Sequence, residues 1–490
     1  MRKQIFIQMM LGVVLFFGCQ SDKSVGEWKE LFDGSTLDGW KASTENPESF
    51  SVENGAIKCS GDRAHLFYEE DDYKNFEWEA EVKTDSQSNS GIFIHTQYQE
   101  SGWPSNGYEI QVNNTYRGSE DHPERRKTGS IYNIRNVYYP VVEDDEWFRL
   151  RVKVVENHIE VFINDQKVNE YIEPADCWRW NGGETVKLGR GTFALQAHDP
   201  ESTVYFRNIR AKHLAEAEPS QLRTEKAWDT KVTRLMKEGF PLIDHHVHLK
   251  GGLTLEDVVD NSQRLGINYG IAPNCGLHFP VTNDSSLNAY LDDVKESPVF
   301  KGMQAEGREW ITLFSPEAIA RFDYVFTDAM TFTDEKGRRN RIWMPEEVWV
   351  EDKEQFMDQM VGKIEAIFSQ EPVDIYVNPT VLPDTIADEY DELWTRERKQ
   401  RVVDVLAEND VALEINARYE LPKPDMIKMA KRAGVKFTFG TNNTGKELGR
   451  LEYCLEMIEE CGLEPNDMFE IRPDDEKPIR TKGLPDEITG

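Results

Sequence analysis

Between residues 28 and 214 apolar and polar residues alternate with a period of two, as in Phe76-Glu77-Trp78-Glu79-Ala80-Glu81-Val82, Phe148-Arg149-Leu150-Arg151-Val152-Lys153-Val154 and Ile159-Glu160-Val161-Phe162-Ile163. Successive side chains of a strand point to opposite faces, so each run predicts a strand with one face on a core. Gly, Asn and Asp turns separate the runs and no helical period of useful length interrupts them. That pattern predicts a two-sheet antiparallel β-sandwich of the jelly-roll kind. After Pro241 the grammar changes. Short apolar runs such as Tyr269-Gly270-Ile271-Ala272, Asp323-Tyr324-Val325-Phe326 and Lys436-Phe437-Thr438-Phe439 alternate with helix-like segments, clearest over 354–368, 396–409 and 424–433. Strand and helix repeated in turn predict a parallel sheet closed into an α/β barrel. The expected organisation is a sandwich over 24–214, a polar linker or short exposed helix over 215–235, a barrel over 236–470 and an acidic tail over 471–490.

The N-terminus reads as an export signal. Arg2 and Lys3 precede an apolar run from Ile5 to Phe17, shorter than the roughly 20 residues of a spanning helix. The run ends Phe16-Phe17-Gly18-Cys19 before the polar Gln20-Ser21-Asp22-Lys23, which resembles the lipobox of bacterial lipoproteins. The resemblance implies a signal peptide over 1–18, Cys19 as the acylated first mature residue, and an exported protein anchored by lipid in the periplasm or at the cell surface. The other cysteines, Cys59, Cys177, Cys275, Cys454 and Cys461, show no CxxC spacing, so no zinc knuckle is indicated. A bridge between Cys59 and Cys177 is compatible with an oxidising compartment.

Charge narrows the partners. A formal net charge of −32 over 490 residues repels the phosphates of nucleic acid and of anionic lipid. A neutral ligand such as a carbohydrate fits better, and 12 Trp offer faces on which sugar rings stack, although aromatic residues also fill ordinary cores.

Within the sandwich several strand-like runs carry proton-transferring or hydrogen-bonding residues: Gly91-Ile92-Phe93-Ile94-His95, Gly107-Tyr108-Glu109-Ile110-Gln111, Gly129-Ser130-Ile131-Tyr132 and Leu195-Gln196-Ala197-His198. Together with the opening Glu30-Leu31-Phe32-Asp33-Gly34-Ser35-Thr36-Leu37-Asp38-Gly39-Trp40, these motifs resemble the 3-keto-disaccharide hydrolase family, over nearly all of residues 28–214. The resemblance implies a concanavalin-like fold and action on glycosides already oxidised at C3. A C3 ketone acidifies the proton at C2. A base can remove it, the enolate can expel the C1 substituent, and water can add to the resulting 2-hydroxyglycal. This route needs a base near C2, donors for the enolate oxygen and an acid for the leaving oxygen. Glu109 and Gln111 lie two apart on one predicted strand and Gln196 and His198 on another, so each pair shares a face. Glu109 and His198 are the candidates for proton transfer; His95, Gln111, Lys127, Tyr132 and Gln196 are candidates for binding and polarising the sugar. The family pattern has an Arg where His95 stands.

In the barrel, His246 and His248 stand at i and i+2 after Asp244, the Asp-x-His-x-His opening of metal-dependent barrel hydrolases. With His278 and Glu306 following in order, this half is similar to the polymerase-and-histidinol-phosphatase (PHP) family, close to amidohydrolase barrels. The likeness implies a divalent metal, with Zn, Mn and Ca not distinguished, held by His246, His248, His278, Glu306 and Asp328. The chain departs from that pattern at Asn378 and at Gly440-Thr441-Asn442-Asn443-Thr444, where His and Asp ligands are expected, which argues against a complete multinuclear site. The competing readings are a sugar-binding sandwich without turnover, a barrel that serves as scaffold, and a phosphoesterase barrel, the last disfavoured by the missing ligands.

Overall fold

The computed structural model describes residues 25–119 and 122–488; the expected signal peptide over 1–18 and the expected anchor at Cys19 lie outside them. The first part is a sandwich of two antiparallel sheets. One sheet runs Gln166–Ile172, His158–Ile163, Phe148–Val155, Phe76–Thr84, Thr203–His213, Ala56–Ser60 and Phe50–Glu53, with Lys29–Glu30 added along Thr203–His213. The other runs Trp40–Ala42, Ala64–Tyr68, Thr192–Ala197, Asn89–Thr96 and Tyr108–Asn113. Alternation builds the space between them: Trp78, Val82, Leu150 and Val152 from the first sheet meet Ile92, Ile110 and Leu195 from the second. Phe148–Val155 alternates buried and half-buried positions, whereas Asn89–Thr96 is buried at every position, because its outer face is covered as well. That second covering forms the cleft described below.

Seven parallel strands close the second part into a barrel in the order Asn268–Ile271, Ile243–Val247, Phe437–Gly440, Ala412–Asn416, Ile375–Tyr376, Tyr324–Thr327 and Phe300–Ala305, and Gly270 pairs with Phe300 to complete the ring. Helices cover the outside, among them Leu255–Leu265, Lys353–Gln370, Arg396–Glu408 and Pro424–Arg432. Local signals set their ends. Thr254 and Asp257 form a capping box at the start of Leu255–Leu265, and Gly266, at φ 70°, closes it.

Two segments are more ordered than their polar composition suggests. Within 215–235 a helix, Lys226–Glu238, begins at Lys226 and buries Trp228, Val232, Leu235 and Met236. After 471 a short helix, Pro478–Thr481, buries Ile479, and Lys477 Nζ donates to the Ala320 carbonyl at 2.7 Å. The cysteines of the described residues are all free, so Cys59 and Cys177 do not form the bridge their compartment would allow; Cys59 is buried within the sandwich core.

The two parts meet through the segment 134–140 of the sandwich, which docks on the N-terminal ends of the barrel strands. The Tyr138 amide donates to Asn268 Oδ1 at 3.1 Å, Asn268 Nδ2 donates to the Asn136 carbonyl at 2.8 Å, and Val137, Tyr138 and Tyr139 pack with Ile243, Phe300, Tyr324 and Ile375. Arg135 is ion-paired to Asp229 of the helix Lys226–Glu238 and donates to Thr233 Oγ1 at 3.0 Å, all of it buried. The sandwich therefore occupies the base of the barrel, and the C-terminal strand ends, where His248, Glu306 and Asp328 lie, face away from it.

Candidate active site

The outer face of the five-stranded sheet carries a cleft of about 380 Å³, at the small end of the roughly 300–1,000 Å³ of small-molecule sites. Register puts Asn89, Phe93, Glu109, Gln111 and Gln196 on this face, opposite the core-facing Ile92, Ile110 and Leu195. Trp103 and Pro104 form one wall; Glu124, Tyr132 and Asn133 form the other. The second wall is held because the segment 129–132 pairs along Tyr108–Asn113, with the Gln111 amide donating to the Ser130 carbonyl and the Tyr132 amide to the Glu109 carbonyl.

Glu109 sits at the centre. Gln196, two strands away, reaches across Asn89–Thr96 and donates from Nε2 to Glu109 Oε1 at 3.1 Å. Gly91 lies beneath this bridge, and a Cβ there would fall 2.6 Å from Glu109 Oε1, so only glycine leaves the carboxyl its place. Burial raises the Glu109 carboxyl from 4.5 to about 8, against the smaller opposing effect of the Gln196 hydrogen bond. At neutral pH it carries a proton.

His198 stands just beyond the end of Thr192–Ala197. Its Nδ1 lies 2.6 Å from Asp199 Oδ2, and Asp199 is itself fixed by the amides of Glu201 and Ser202, each at 3.0 Å. A carboxylate can only accept, so Nδ1 carries the hydrogen and Nε2 presents its lone pair, here 3.2 Å from Asn89 Nδ2. Asn89 is oriented in turn by Gln111, whose Nε2 donates to Asn89 Oδ1 at 2.5 Å. The Oε1 atoms of Gln111 and Gln196 are buried without a protein partner. Unsatisfied acceptors beside a cleft are what sugar hydroxyls would complete.

Of the residues expected around the sugar, Gln111, Gln196 and Tyr132 line this cleft together with Glu109 and His198. Tyr132 packs beneath Arg126, 4.4 Å from ring centroid to guanidinium, and burial holds its hydroxyl well above its usual range. His95 and Lys127 do not join them. His95 has φ 54° beside a register shift in the pairing of its strand, which turns its ring away from the cleft face. It hydrogen-bonds the Lys74 carbonyl at 2.8 Å, accepts from the Gly189 amide at 3.2 Å, packs edge-on against Phe76, and is depressed to about 4 by burial. Lys127 donates to the Tyr116 carbonyl at 3.1 Å and lines a different cavity, between the sandwich and the barrel base. The sequence reading missed Asn89, Trp103, Glu124, Asp199, Trp180 and Lys237. Asp199 had a local signal, since it directly follows His198; Lys237 had none, because it arrives on the helix Lys226–Glu238 from outside the sandwich.

In the barrel the candidate ligands are gathered in part. His246 and His248 are buried with ring centroids 5.1 Å apart. His246 Nδ1 is 2.7 Å from Glu414 Oε1 and His248 Nδ1 is 2.8 Å from the Ala272 carbonyl, so each ring directs Nε2 inward. His246 Nε2 and Glu306 Oε2 are buried without protein partners. Burial, followed by the charge of Asp328, raises the Glu306 carboxyl above its ordinary range. Asp244 is occupied elsewhere, accepting from the His246 amide at 3.0 Å and from Thr441 Oγ1 at 2.5 Å. His278 does not join the group: it is exposed in the loop after Asn274–Cys275, and Asn274 instead donates to Glu306 Oε1 at 2.7 Å. At Asn378 and Asn442, where His and Asp ligands were expected, amides bond one another instead: Asn442 donates to Asn378 Oδ1 at 2.9 Å, and the neighbouring Asn416 donates to the same atom at 3.0 Å. These residues offer N and O donors for one ion at most, and their donor atoms are not drawn together to within 4.8 Å of one another. Among the described residues the one His/Asp/Glu group whose ligand atoms lie within 4.8 Å of one another is elsewhere, His158, Glu160 and Glu170 at the sandwich edge, where Lys167 and Arg223 already ion-pair with Glu170.

Among solved structures, the chain is similar to a candidate glycosyl hydrolase from Parabacteroides distasonis, at 26% identity and a TM-score of 0.35, covering 38% of this chain and 94% of that one. A carbohydrate-binding module from Bacillus subtilis matches at 13% identity and a TM-score of 0.26, over 36% of this chain and 98% of that one. A histidinol phosphate phosphatase from Lactococcus lactis, solved with zinc, L-histidinol and phosphate, matches at 16% identity and a TM-score of 0.32, over 46% of this chain and 95% of that one. No curated protein matches the chain. Residues 27–212, the sandwich and its cleft, match the model of the 3-keto-alpha-glucoside-1,2-lyase-like domain, which supports glycoside processing as the class of chemistry.

Proposed function

We propose that the sandwich cleaves 3-keto-glycosides by elimination across C1 and C2 followed by hydration, with His198 as the base at C2 and Glu109 as the acid at the leaving oxygen. The observation that carries this reading is the pairing, in one cleft, of a carboxyl held protonated by burial with an imidazole whose Nε2 lone pair is presented by Asp199. In the first step Nε2 takes the C2 proton and the electron pair moves towards the C3 oxygen. The enolate then forms the C1–C2 double bond as the C1–O bond breaks, and the departing oxygen takes the Glu109 proton. Water adds across the double bond, completing a net hydrolysis. Gln111, Gln196 and Asn133 supply amides to the sugar oxygens, and Trp103 offers an apolar face. The roles separate in heavy water. His198→Ala should abolish deuterium incorporation at C2, while Glu109→Gln should keep exchange and lose aglycone release. Cleavage by the wild type without any C2 exchange would sink the elimination route.

For the barrel, a single divalent ion held by His246, His248, Glu306 and Asp328 is favoured by the two orphaned buried atoms, His246 Nε2 and Glu306 Oε2. Such an ion would supply Lewis acidity or a deprotonated water there. Calorimetric titration with zinc or manganese tests it, with His248→Ala as the control. Export on a lipid anchor at Cys19 belongs to the same proposal and rests on the leader sequence alone.

A further inference from the structure

The cleft is not built by the sandwich alone. Register defines its long axis. Asn89 pairs with Asn113 at one end of the strands, where His198 and Gln111 also lie, and Ile94 pairs with Tyr108 at the other. Just beyond Tyr108, the Gly107 amide donates to the Thr185 carbonyl at 3.2 Å, which brings the loop carrying Trp180 and Val186 over that second end. Lys237, on the last turn of the helix Lys226–Glu238, completes the lining there, its Nζ 4.7 Å from the Trp180 ring centroid. Glu109 and Gln196 therefore lie between two unlike ends: a proton-transfer end at His198 and an aromatic, cationic end at Trp180 and Lys237.

With 89 acidic against 57 basic residues, most Lys and Arg have a carboxylate near them. Lys237 has none among the described residues. Burial lowers its ammonium from the ordinary value, and the charge that bears on it is that of Arg126, of the same sign. An ammonium that is partly desolvated, stacked on indole and left without a counter-ion is a site for an anion supplied from outside. The aromatic face beneath it suits a ring, and the anion suits a substituent on that ring.

We propose that Lys237 and Trp180 form a subsite for an anionic substituent, a carboxylate or a sulfate ester, on the aglycone or second sugar of the substrate, so that the barrel's first helix sets the specificity of the sandwich. The assignment rests on the elimination reading for the meaning of aglycone, but charge selection at this end of the cleft is measurable without turnover. The subsite also gives the docking of the two parts a function: the buried Arg135–Asp229 pair holds the helix that carries Lys237.

The test uses the full-length protein and two 3-keto-glucosides that differ only in the aglycone, phenyl against 4-carboxyphenyl, with a 4-sulfophenyl version to separate carboxylate from sulfonate-like recognition. Wild-type kcat/KM should favour the charged aglycones by about tenfold, as one charge-assisted contact allows, and the preference should shrink with added salt. Lys237→Met should collapse the ratio of charged to neutral substrate, and Lys237→Arg should restore most of it. Loss of helix docking would lower both substrates together, so the ratio isolates the contact. Equal kcat/KM for charged and neutral aglycones in the wild type, or a ratio unchanged in Lys237→Met, would overturn the subsite and leave the elimination reading standing. If no keto substrate turns over, binding of the same three compounds to the wild type and to Lys237→Met by calorimetry decides the point: a charge preference that the variant loses supports the subsite, and no preference overturns it.

Discussion

Replacing Glu109 by Gln separates catalysis from stability in a way that follows from one number. The Glu109 carboxyl is raised from 4.5 to about 8 by burial, so the folded chain keeps a proton that the unfolded chain releases above pH 4.5. A carboxyl whose folded value is raised weakens the fold as pH climbs from 4.5 through about 8, with no penalty below that window. At pH 7, the 2.5 pH units above 4.5 at about 1.4 kcal/mol each set a ceiling of about 3.5 kcal/mol on the penalty. Gln has the same shape, still accepts from Gln196 Nε2 and cannot ionise, so the variant escapes the cost. Glu109→Gln should therefore be inactive in aglycone release yet more stable than the wild type by about 1–3 kcal/mol at pH 7. The gap should close at pH 4.5. Urea and thermal midpoints of both proteins, measured from pH 4.5 to 8.5, check this directly. A variant that is less stable at pH 7, or a gap that does not change with pH, would refute the burial argument and with it the assignment of Glu109 as a protonated acid.

Four further outcomes follow from the same geometry. Aglycone release should decline as pH rises through about 8, where Glu109 loses its proton; a rate still climbing at pH 9 would remove it as the acid. Asp199→Asn should lower kcat by roughly 10²–10⁴-fold with little change in KM, because His198 loses the partner that fixes its tautomer; a change confined to KM would contradict the base assignment. Gly91→Ala should reduce turnover at nearly constant fold content by circular dichroism, since the added Cβ lands on the Glu109 carboxyl. Asp229→Ala should destabilise the protein by about 3–5 kcal/mol, as loss of one partner leaves Arg135 charged and buried; a loss below about 1 kcal/mol in urea unfolding would show that the two parts dock by other means.

Fold and site differ in how far the sequence carries them. Period-two runs such as 148–154 became strands because their alternation is the alternation of core and outer face, and the helices expected over 354–368, 396–409 and 424–433 appear as Lys353–Gln370, Arg396–Glu408 and Pro424–Arg432. Glu109, Gln111 and Gln196 were legible for the same reason, since two-residue spacing on a strand fixes a shared face. The same rule misplaced His95, because a register shift and a positive φ at the end of the strand break the alternation, and neither is written in residue type. Lys127 and His278 stand apart from the other candidates because they lie in loops, whose direction depends on the tertiary path. Trp180 and Lys237 were invisible for a longer-range reason: they meet only after the helix of one part docks on the other through Arg135 and Asp229. The docking also settles how the two candidate sites relate. The sandwich covers the N-terminal strand ends of the barrel, while His248, Glu306 and Asp328 sit at the opposite ends. A product of the sandwich cleft would have to leave it to reach the barrel site.

The most direct test of the central claim is to incubate the purified, lipid-free protein with a chromogenic 3-keto-glucoside and with its unoxidised parent, each with and without chelator. Release should come from the keto form alone and, with His198 and Glu109 as the proposed base and acid, should survive the chelator. Release from the parent glucoside at a comparable rate, or none from the keto form, would contradict elimination at this cleft.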